Sequence, residues 1–187
     1  LENCCYDFFE LTCLNMAQQG LFGEVIHAQG AYIHNLEPFW AHYQGNWRLD
    51  FNQKHAGDVY ATHGLGPVCQ VLDIHRGDKM EYLVSMSTPS YNGKKIAEEM
   101  MGTEDFANGD MTSTLIKTNK GKTILIQHNV YTPRPYDRLY QLTGTEGFAN
   151  KYPYQGFTLK EENVPSDVIP DHEKLDEHGF VSNEVRD

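Results

Sequence analysis

Residues 111–131 read MTSTLIKTNKGKTILIQHNVY. Two segments of this stretch, 111–117 and 123–131, are rich in threonine, isoleucine and leucine, a composition typical of β-strands. The Asn-Lys-Gly sequence at 119–121 fits the tight turn of a hairpin between them. The stretch therefore predicts two antiparallel strands, and a sheet of this kind decides the fold class.

The segments on either side predict the rest of the architecture. Further strands are expected at residues 24–34, 80–86 and 138–143, and helices at 3–19, 58–74 and 94–101. Residues 35–57 are rich in aromatic residues but lack periodicity, so they predict a long irregular loop. This order of elements predicts an α+β fold with an open, mostly antiparallel sheet and helices on one face.

The composition argues against two classes of protein, those that bind nucleic acids and those that span a membrane. The chain has 187 residues and a net charge of −11, which argues against binding to the phosphates of nucleic acids. It contains no apolar run long enough for a membrane span. Much of the acidity lies in the last 30 residues, so we expect a domain at residues 1–155 and an acidic arm or linker at 156–187.

The cysteine and histidine patterns do not predict a metal site. The four cysteines show no C-x-x-C spacing, so we expect buried free thiols. The nine histidines are scattered and form neither H-E-x-x-H nor H-x-H. Acidic residues are numerous, but none stands out as one of the paired carboxylates of an ordinary glycosidase.

The sequence YATHGLGP at residues 60–67 is the first candidate site. On a helix, Tyr60 and His63 would share a face and form a proton-transfer pair or hold sugar hydroxyls. The two glycines that follow would let a ligand approach the backbone closely. The alternative is a histidine that packs against core aromatics and is satisfied by hydrogen bonds.

Two further segments suit a carbohydrate. Residues 32–48 bring together aromatic rings, which stack on sugar faces, and Arg48, which can bind hydroxyls. The alternative is a hydrophobic cluster under a long loop. Two prolines stiffen residues 132–138, which would hold Tyr136 at a fixed place, or simply form a rigid crossing between strands.

Several longer runs carry a resemblance to a known family. They are ENCCYD (2–7), GAYIHNL (30–36), WRLD (47–50), YATHGLGP (60–67), QHN (127–129) with TPRPY (132–136), and GFANKYP (147–153). Together they resemble glycoside hydrolase family 109, NAD-dependent α-N-acetylgalactosaminidases within the Gfo/Idh/MocA group. The likeness extends over most of the chain, and the motifs follow the family order.

The resemblance implies a domain organisation and a mechanism. In this group an N-terminal Rossmann domain binds the dinucleotide, and that domain would be absent from this chain. The sugar C3 hydroxyl is oxidised by bound NAD, the C2 proton is removed by a base, and the glycosidic oxygen leaves. Water then adds and C3 is reduced again, so NAD is the expected cofactor.

The family motifs also assign roles to residues. Asn3 resembles a cofactor contact, and Tyr136 resembles a substrate contact, with Tyr140 as the fallback. The other expected substrate contacts are Tyr32, Arg48, Tyr60, Ala61, Thr62 and His63. We expect His63 to act as acid or base, because the ordinary pKa of histidine lies near neutral pH, with Tyr60 as its catalytic partner.

The same resemblance implies partners and a compartment. The expected partners are a carbohydrate substrate, the protein's own Rossmann domain and, through the open sheet, a second copy of the chain. Family members are often exported by bacteria, which implies a periplasmic or secreted protein. Two other functions stay open at this point, because a fold does not fix a function. They are an NAD(P)-dependent sugar oxidoreductase and a non-catalytic sugar-binding or oligomerisation module.

Overall fold

The structure is a computed structural model that describes residues 2–43, 47–152 and 155–159. Its helices are α1 (Phe8–Gln18), α2 (Trp40–Tyr43), α3 (Trp47–Lys54), α4 (Thr62–Val71) and α5 (Asn92–Met101), with 3₁₀ turns at Asn3–Tyr6 and Glu37–Phe39. Its strands are β1 (Val25–Ile33), β2 (Met80–Ser87), β3 (Thr112–Thr118), β4 (Thr123–Asn129), β5 (Tyr140–Gly144), β6 (Gly147–Asn150) and β7 (Gly156–Leu159). None of the described helices is long and apolar enough to cross a membrane.

The strands form one open sheet in the order β2-β3-β4-β1-β5-β6-β7. Strands β1 and β4 are parallel, and the other neighbouring pairs are antiparallel. The predicted fold class, α+β with a mostly antiparallel sheet, is therefore confirmed. The predicted hairpin is β3–β4, and Gly121 in its turn has φ +83°, a conformation that favours glycine.

One face of the sheet is covered by α4 and α1. The core between them contains large apolar side chains from strands and helices, which include Phe9, Phe22, Val68, Leu72, Ile124, Ile126, Tyr140 and Leu142. Helix α4 approaches β1 closely because Gly64 lies directly against Gly30. The glycines of residues 60–67 were expected to admit a ligand. Instead, Gly64 is buried against the strand, and a Cβ on Gly66 would meet the Cys5 sulfur at 2.7 Å.

This contact gives a stability prediction. A Cβ added at Gly64 would lie 2.6 Å from the backbone nitrogen of Ala31, and a strand backbone cannot move aside without loss of sheet hydrogen bonds. We expect Gly64→Ala to lower the free energy of unfolding by about 2 kcal/mol, despite the better helix propensity of alanine. Urea denaturation measures this loss. Gly156→Ala, with no atom within 4 Å of its added Cβ, is the control, and an equal loss there would contradict the contact.

The prediction of an irregular loop at residues 35–57 is wrong for its described part. Two helices, α2 and α3, form there because Trp40 and Leu49 are buried in a second core at the end of β1. Trp40 stacks on Tyr131 with ring centroids 5.6 Å apart. The Asn52 side chain accepts hydrogen bonds from Tyr131 Oη and Asn108 Nδ2, and donates one to the Arg48 carbonyl.

Two predicted helices begin later than the sequence indicated. The first starts at Phe8, because Asp7 is extended and separates α1 from the 3₁₀ turn, which Glu2 caps. The second starts at Thr62 instead of residue 58. The Asp58 carboxylate accepts the Tyr60 backbone N–H, which holds a turn ahead of α4.

The sheet also extends past the expected domain boundary at residue 155. Strand β7 pairs with β6 in register from Gly147 opposite Leu159 to Asn150 opposite Gly156. It is held by Phe157, whose ring stacks on Phe9 at 5.1 Å. The short strands β6 and β7 were not predicted, and the expected acidic arm beyond Leu159 lies outside the described residues.

Candidate functional site

The candidate site lies where the two parallel strands end. Because β1 and β4 are parallel, their carboxyl ends meet at the same edge of the sheet, with Tyr32 opposite His128. A small cavity, open to solvent, lies at this edge. The residues that line it come from β1, α2, α3 and β4, from the turn before α4, and from the segments that follow β1 and β4. They are Tyr32, Leu36, Trp40, Trp47, Arg48, Phe51, Asn52, Val59, Tyr60, His128 and Val130.

Four of the predicted substrate contacts form one cluster: Tyr32, Arg48 and Tyr60 line this cavity, and His63 packs against the two tyrosines without lining it. The Tyr32 ring centroid lies 4.9 Å from that of Tyr60 and 4.7 Å from that of His63. The Tyr60 and His63 rings are stacked at 5.2 Å, although Tyr60 lies in the turn before α4. The Arg48 guanidinium lies over the Tyr60 ring, 5.3 Å from its centroid. The structure therefore brings Tyr32, Arg48, Tyr60 and His63 together.

His63 is 7% exposed, and both of its ring nitrogens have partners within the chain. Nδ1 lies 2.9 Å from Glu2 Oε1, and Nε2 lies 3.1 Å from Cys4 Sγ. Burial lowers the pKa of His63 more than the neighbouring Glu2 raises it, so the neutral ring is favoured. This arrangement has features of both interpretations: His63 is a satisfied, buried histidine, and it packs against the tyrosines of the cavity.

The N-terminal segment that carries Glu2 and Cys4 is fixed by ion pairs. Arg138 lies 3.3 Å from the Asp7 carboxylate and donates to Cys4 Sγ at 3.4 Å. Lys151 lies 3.1 Å from Asp7 and 2.7 Å from the buried Glu10 carboxylate. These contacts tie the segment before α1 to the ends of β5 and β6, and so hold it beside His63.

Tyr136 lies at the rim of the cluster. Its side chain is 45% exposed, and its ring lies 4.9 Å from the His34 ring and 5.6 Å from the Arg138 guanidinium. His34 in turn contacts Tyr32 at 6.1 Å, so Tyr136 is connected to the other candidates through one residue. The fallback, Tyr140, is 2% exposed and packs in the core against Phe9, where it cannot contact a substrate.

The remaining predicted residues lie close to Glu2. Asn3 is exposed in the 3₁₀ turn between Glu2 and Cys4. The Thr62 hydroxyl donates to Glu2 Oε2 at 3.3 Å, and Ala61 is half-buried in the turn that precedes α4. Asn3, Ala61 and Thr62 thus border the His63 side of the cluster, while Arg48 borders its opposite side.

Two titratable groups of this edge, the buried His128 and the half-buried Asp58, are not among the predicted site residues. Burial lowers the pKa of His128 to about 4, and its Nδ1 has no hydrogen-bond partner. Burial raises the pKa of Asp58 to about 6, against the hydrogen bond from Tyr60 N, and its Oδ2 has no partner. His128 therefore stays neutral in mildly acidic solution, and Asp58 keeps its proton at a higher pH than an exposed carboxyl does.

One group of side chains has the chemistry of a metal site. One ligand atom each from Glu2, Cys4 and His63 lies within 4.8 Å of the others, a donor set that suits zinc. The Arg138 guanidinium, however, donates to the same sulfur, and each His63 nitrogen already has a protein partner. A positive charge at this position disfavours a dication, so we interpret the group as a hydrogen-bonded chain.

Sequence reasoning missed Glu2, Cys4, Arg138 and His128 as parts of the site. Glu2 and Cys4 are about 60 residues from His63 along the chain, and no local pattern couples them. The available signals were the family runs ENCCYD and QHN, which contain Glu2, Cys4 and His128. Arg138 follows the stiff segment that was expected to hold Tyr136, and it forms the link between that segment and Cys4.

Comparisons with known sequences give a consistent family. The family profile described as "Glycosyl hydrolase 109, C-terminal domain" matches residues 6–174. Glycosyl hydrolase family 109 protein 1 of Bacteroides fragilis is 63% identical over all of this chain, as is a family 109 protein of Porphyromonas gingivalis. The chain spans 40% of the length of each of these relatives.

Solved structures of other proteins share the fold of this chain. An NAD binding oxidoreductase from Klebsiella pneumoniae matches with a TM-score of 0.59 and 15% identity, over 80% of this chain and 38% of that chain. An inositol dehydrogenase homolog from Azotobacter vinelandii, complexed with NADH and myo-inositol, matches with a TM-score of 0.54 and 17% identity, over 79% and 35%. These matches show that the chain shares its fold with a part of each of these oxidoreductases. The chain therefore belongs to glycosyl hydrolase family 109, as the C-terminal domain of that family.

Proposed function

We propose that this chain is the substrate-binding domain of an NAD-dependent glycosidase that removes terminal α-linked N-acetylgalactosamine. The observation that carries the proposal is the cluster of Tyr32, Arg48, Tyr60 and His63 at the carboxyl ends of β1 and β4. Aromatic faces for a sugar ring, a guanidinium for hydroxyls and a neutral imidazole for proton transfer are what this chemistry needs.

The described residues of this chain would supply only a small part of an NAD-binding site. Among the described residues, no strand leads into a glycine-rich turn and a helix, which is the usual site for the pyrophosphate. Asn3 is exposed beside the His63 cluster and is the residue of this chain proposed to contact the cofactor. A preceding Rossmann domain in the longer protein would hold the rest. Bound NAD would supply reversible hydride transfer at the sugar C3.

The side chains of the domain would then bind and orient the sugar and move its protons. Arg48 and Tyr32 are proposed to hold sugar hydroxyls, and Tyr136 to contact the substrate from the rim. The neutral form of His63 has a basic nitrogen, so His63 and its stacked partner Tyr60 are proposed to take and return the proton. The Arg48 guanidinium over Tyr60 offers a positive charge beside any anion that forms there.

The test is release of N-acetylgalactosamine from an α-linked chromogenic substrate by the full-length protein with NAD. Release without net formation of NADH is the expected result, because the proposed hydride transfer is reversed in each turnover. Absence of release with cofactor bound would contradict the proposal. Accumulation of NADH with a free sugar would instead indicate an NAD(P)-dependent sugar oxidoreductase. Export to the periplasm or the medium belongs to the same proposal and rests on the family resemblance alone.

We further propose that the open face of the sheet pairs with a second copy of the protein. Tyr82, Val84 and Met86 of β2 and Leu115 of β3 are between 52% and 71% exposed, and the register places them side by side on this face. Such a patch is typical of an interface. Analytical ultracentrifugation is expected to find an oligomer that Val84→Glu dissociates. A wild-type protein that sediments as a monomer would contradict the pairing.

A further inference from the structure

Glu2 holds His63 by a short contact at the buried side of the candidate site. Its carboxylate Oε1 lies 2.9 Å from His63 Nδ1, with side-chain exposures of 14% and 7%. We propose that Glu2 is a positioning residue, which keeps the His63 proton on Nδ1 and leaves Nε2 as the proton acceptor of the reaction. This inference rests on the proposed function and adds to it a residue that acts through His63.

The hydrogen-bond directions along the chain of contacts follow from the donors available. Arg138 carries only donors, so the Cys4 sulfur accepts its N–H. Burial raises the pKa of the Cys4 thiol to about 11, against the effect of Arg138, so the thiol keeps its proton and donates it to His63 Nε2. A neutral imidazole that accepts at Nε2 has its proton on Nδ1, and this proton is donated to Glu2.

The position of Cys4 indicates which nitrogen of His63 would react. Nδ1 is closed by a carboxylate, whereas Nε2 faces a thiol, which is a weak donor. For a substrate hydroxyl to reach the lone pair of Nε2, the Cys4 thiol, which is 2% exposed, would have to rotate away from it. When the O–H bond of that hydroxyl breaks and its proton moves to Nε2, the oxygen keeps the electron pair and the ring becomes an imidazolium. The Glu2 carboxylate stabilises this cation, as the buried aspartate does in a Ser-His-Asp triad.

The charged and titratable groups around His63 are few, which makes the role of Glu2 separable. Glu2 and Asp7 favour its protonated form, while burial and Arg138 disfavour it. Two uncharged phenols, Tyr32 and Tyr60, pack against its ring. Glu2 is the carboxylate in direct contact with His63. Among substitutions that keep the shape of a side chain, the one that removes the charge of Glu2 is therefore expected to change the pKa of His63 most.

A purely structural role for Glu2 is the competing explanation. Its side chain also accepts from the Cys4 backbone nitrogen at 3.5 Å and from the Thr62 hydroxyl at 3.3 Å, and so caps the 3₁₀ turn. Glu2→Gln keeps the size and an acceptor oxygen but removes the charge. Glu2→Ala removes the acceptor as well. Glu24→Gln makes the same chemical change on a side chain that is 80% exposed and contacts Lys122, so it is the matched control.

The experiment is an NMR titration of the full-length protein labelled in its histidine rings, with His63 assigned from its absence in His63→Gln. We expect Glu2→Gln to lower the pKa of His63 by about one unit, and to shift the acid limb of the kcat/KM profile to lower pH by the same amount. The kcat is expected to fall about tenfold with KM little changed. Glu2→Asp should keep most of the wild-type His63 pKa and of the wild-type kcat. In Glu2→Ala the Nδ1-protonated tautomer should be lost. Glu24→Gln should change neither the His63 pKa nor the kcat.

An unchanged His63 pKa in folded Glu2→Gln, or an Nε2-protonated ring in the wild type, would overturn the inference. Both readings come from the NMR spectra and need no turnover. A protein without glycosidase activity would therefore remove the proposed function while the NMR result still decides the role of Glu2. Glu2→Gln decides the question by itself if Glu2→Ala does not fold.

Discussion

Replacement of His63 with glutamine is expected to lower the kcat of the full-length enzyme by roughly 100- to 10,000-fold, the usual range for loss of a general acid or base. The ring of His63 packs between Tyr32 and Tyr60 and bridges Glu2 to Cys4. Glutamine can retain hydrogen bonds at this place, but it cannot accept a proton near neutral pH. Steady-state kinetics with an α-linked chromogenic N-acetylgalactosaminide measures the effect.

The control for this prediction is the histidine of β1 that lies away from the cluster. His27 Nδ1 is 2.8 Å from the Thr123 hydroxyl, and its side chain belongs to another part of the sheet. His27→Gln should leave kcat within about twofold, since a change outside the site alters no group that reacts. Equal activities of His63→Gln and the wild type would show that His63 is a buried structural histidine, which was the alternative interpretation of the sequence.

The parts of the fold that could be predicted from sequence are those with local causes. The β3–β4 hairpin follows from two strand-forming segments and a glycine in the turn, all within 21 residues. Helices α2 and α3 were missed because their burial depends on Tyr131 and Asn108, which are distant in sequence. Strand β7 was missed for the same reason, since Phe157 is held by Phe9 at the other end of the chain.

The residues of the candidate site also divide into those that could be predicted from the sequence and those that could not. The motif residues Tyr32, Arg48, Tyr60 and His63 were expected from the family resemblance, and they meet because α3 and the start of α4 place three of them beside Tyr32 at the end of β1. Spacing alone predicted only that Tyr60 and His63 are neighbours. The contacts of Glu2 and Arg138 depend on how the N-terminal segment packs against β5, which no periodicity encodes.

His128 gives a prediction on stability because it is a buried base without a partner. It is 1% exposed, its Nδ1 makes no hydrogen bond, and its pKa falls to about 4 from an ordinary value of 6.5. Between these two values the unfolded chain binds a proton that the folded chain does not. The stabilising effect of the neutral ring is thus complete above about pH 6.5, and it is lost as the pH falls toward 4.

The expected size of this acid destabilisation is roughly 3 kcal/mol, at about 1.4 kcal/mol per unit of pKa. Urea unfolding of the wild type and His128→Leu at pH 7 and pH 4 measures it. His128→Leu should lose that much less stability over this interval, because it has no group to protonate. At pH 7 it should be about as stable as the wild type, since leucine fills a similar volume and leaves no buried nitrogen unpaired.

The exposed His55, changed to leucine, is the control and should keep the wild-type pH dependence. If His128→Leu loses as much stability between pH 7 and pH 4 as the wild type does, other groups cause the acid sensitivity. His128 would then be protonated, with a partner, in the folded protein.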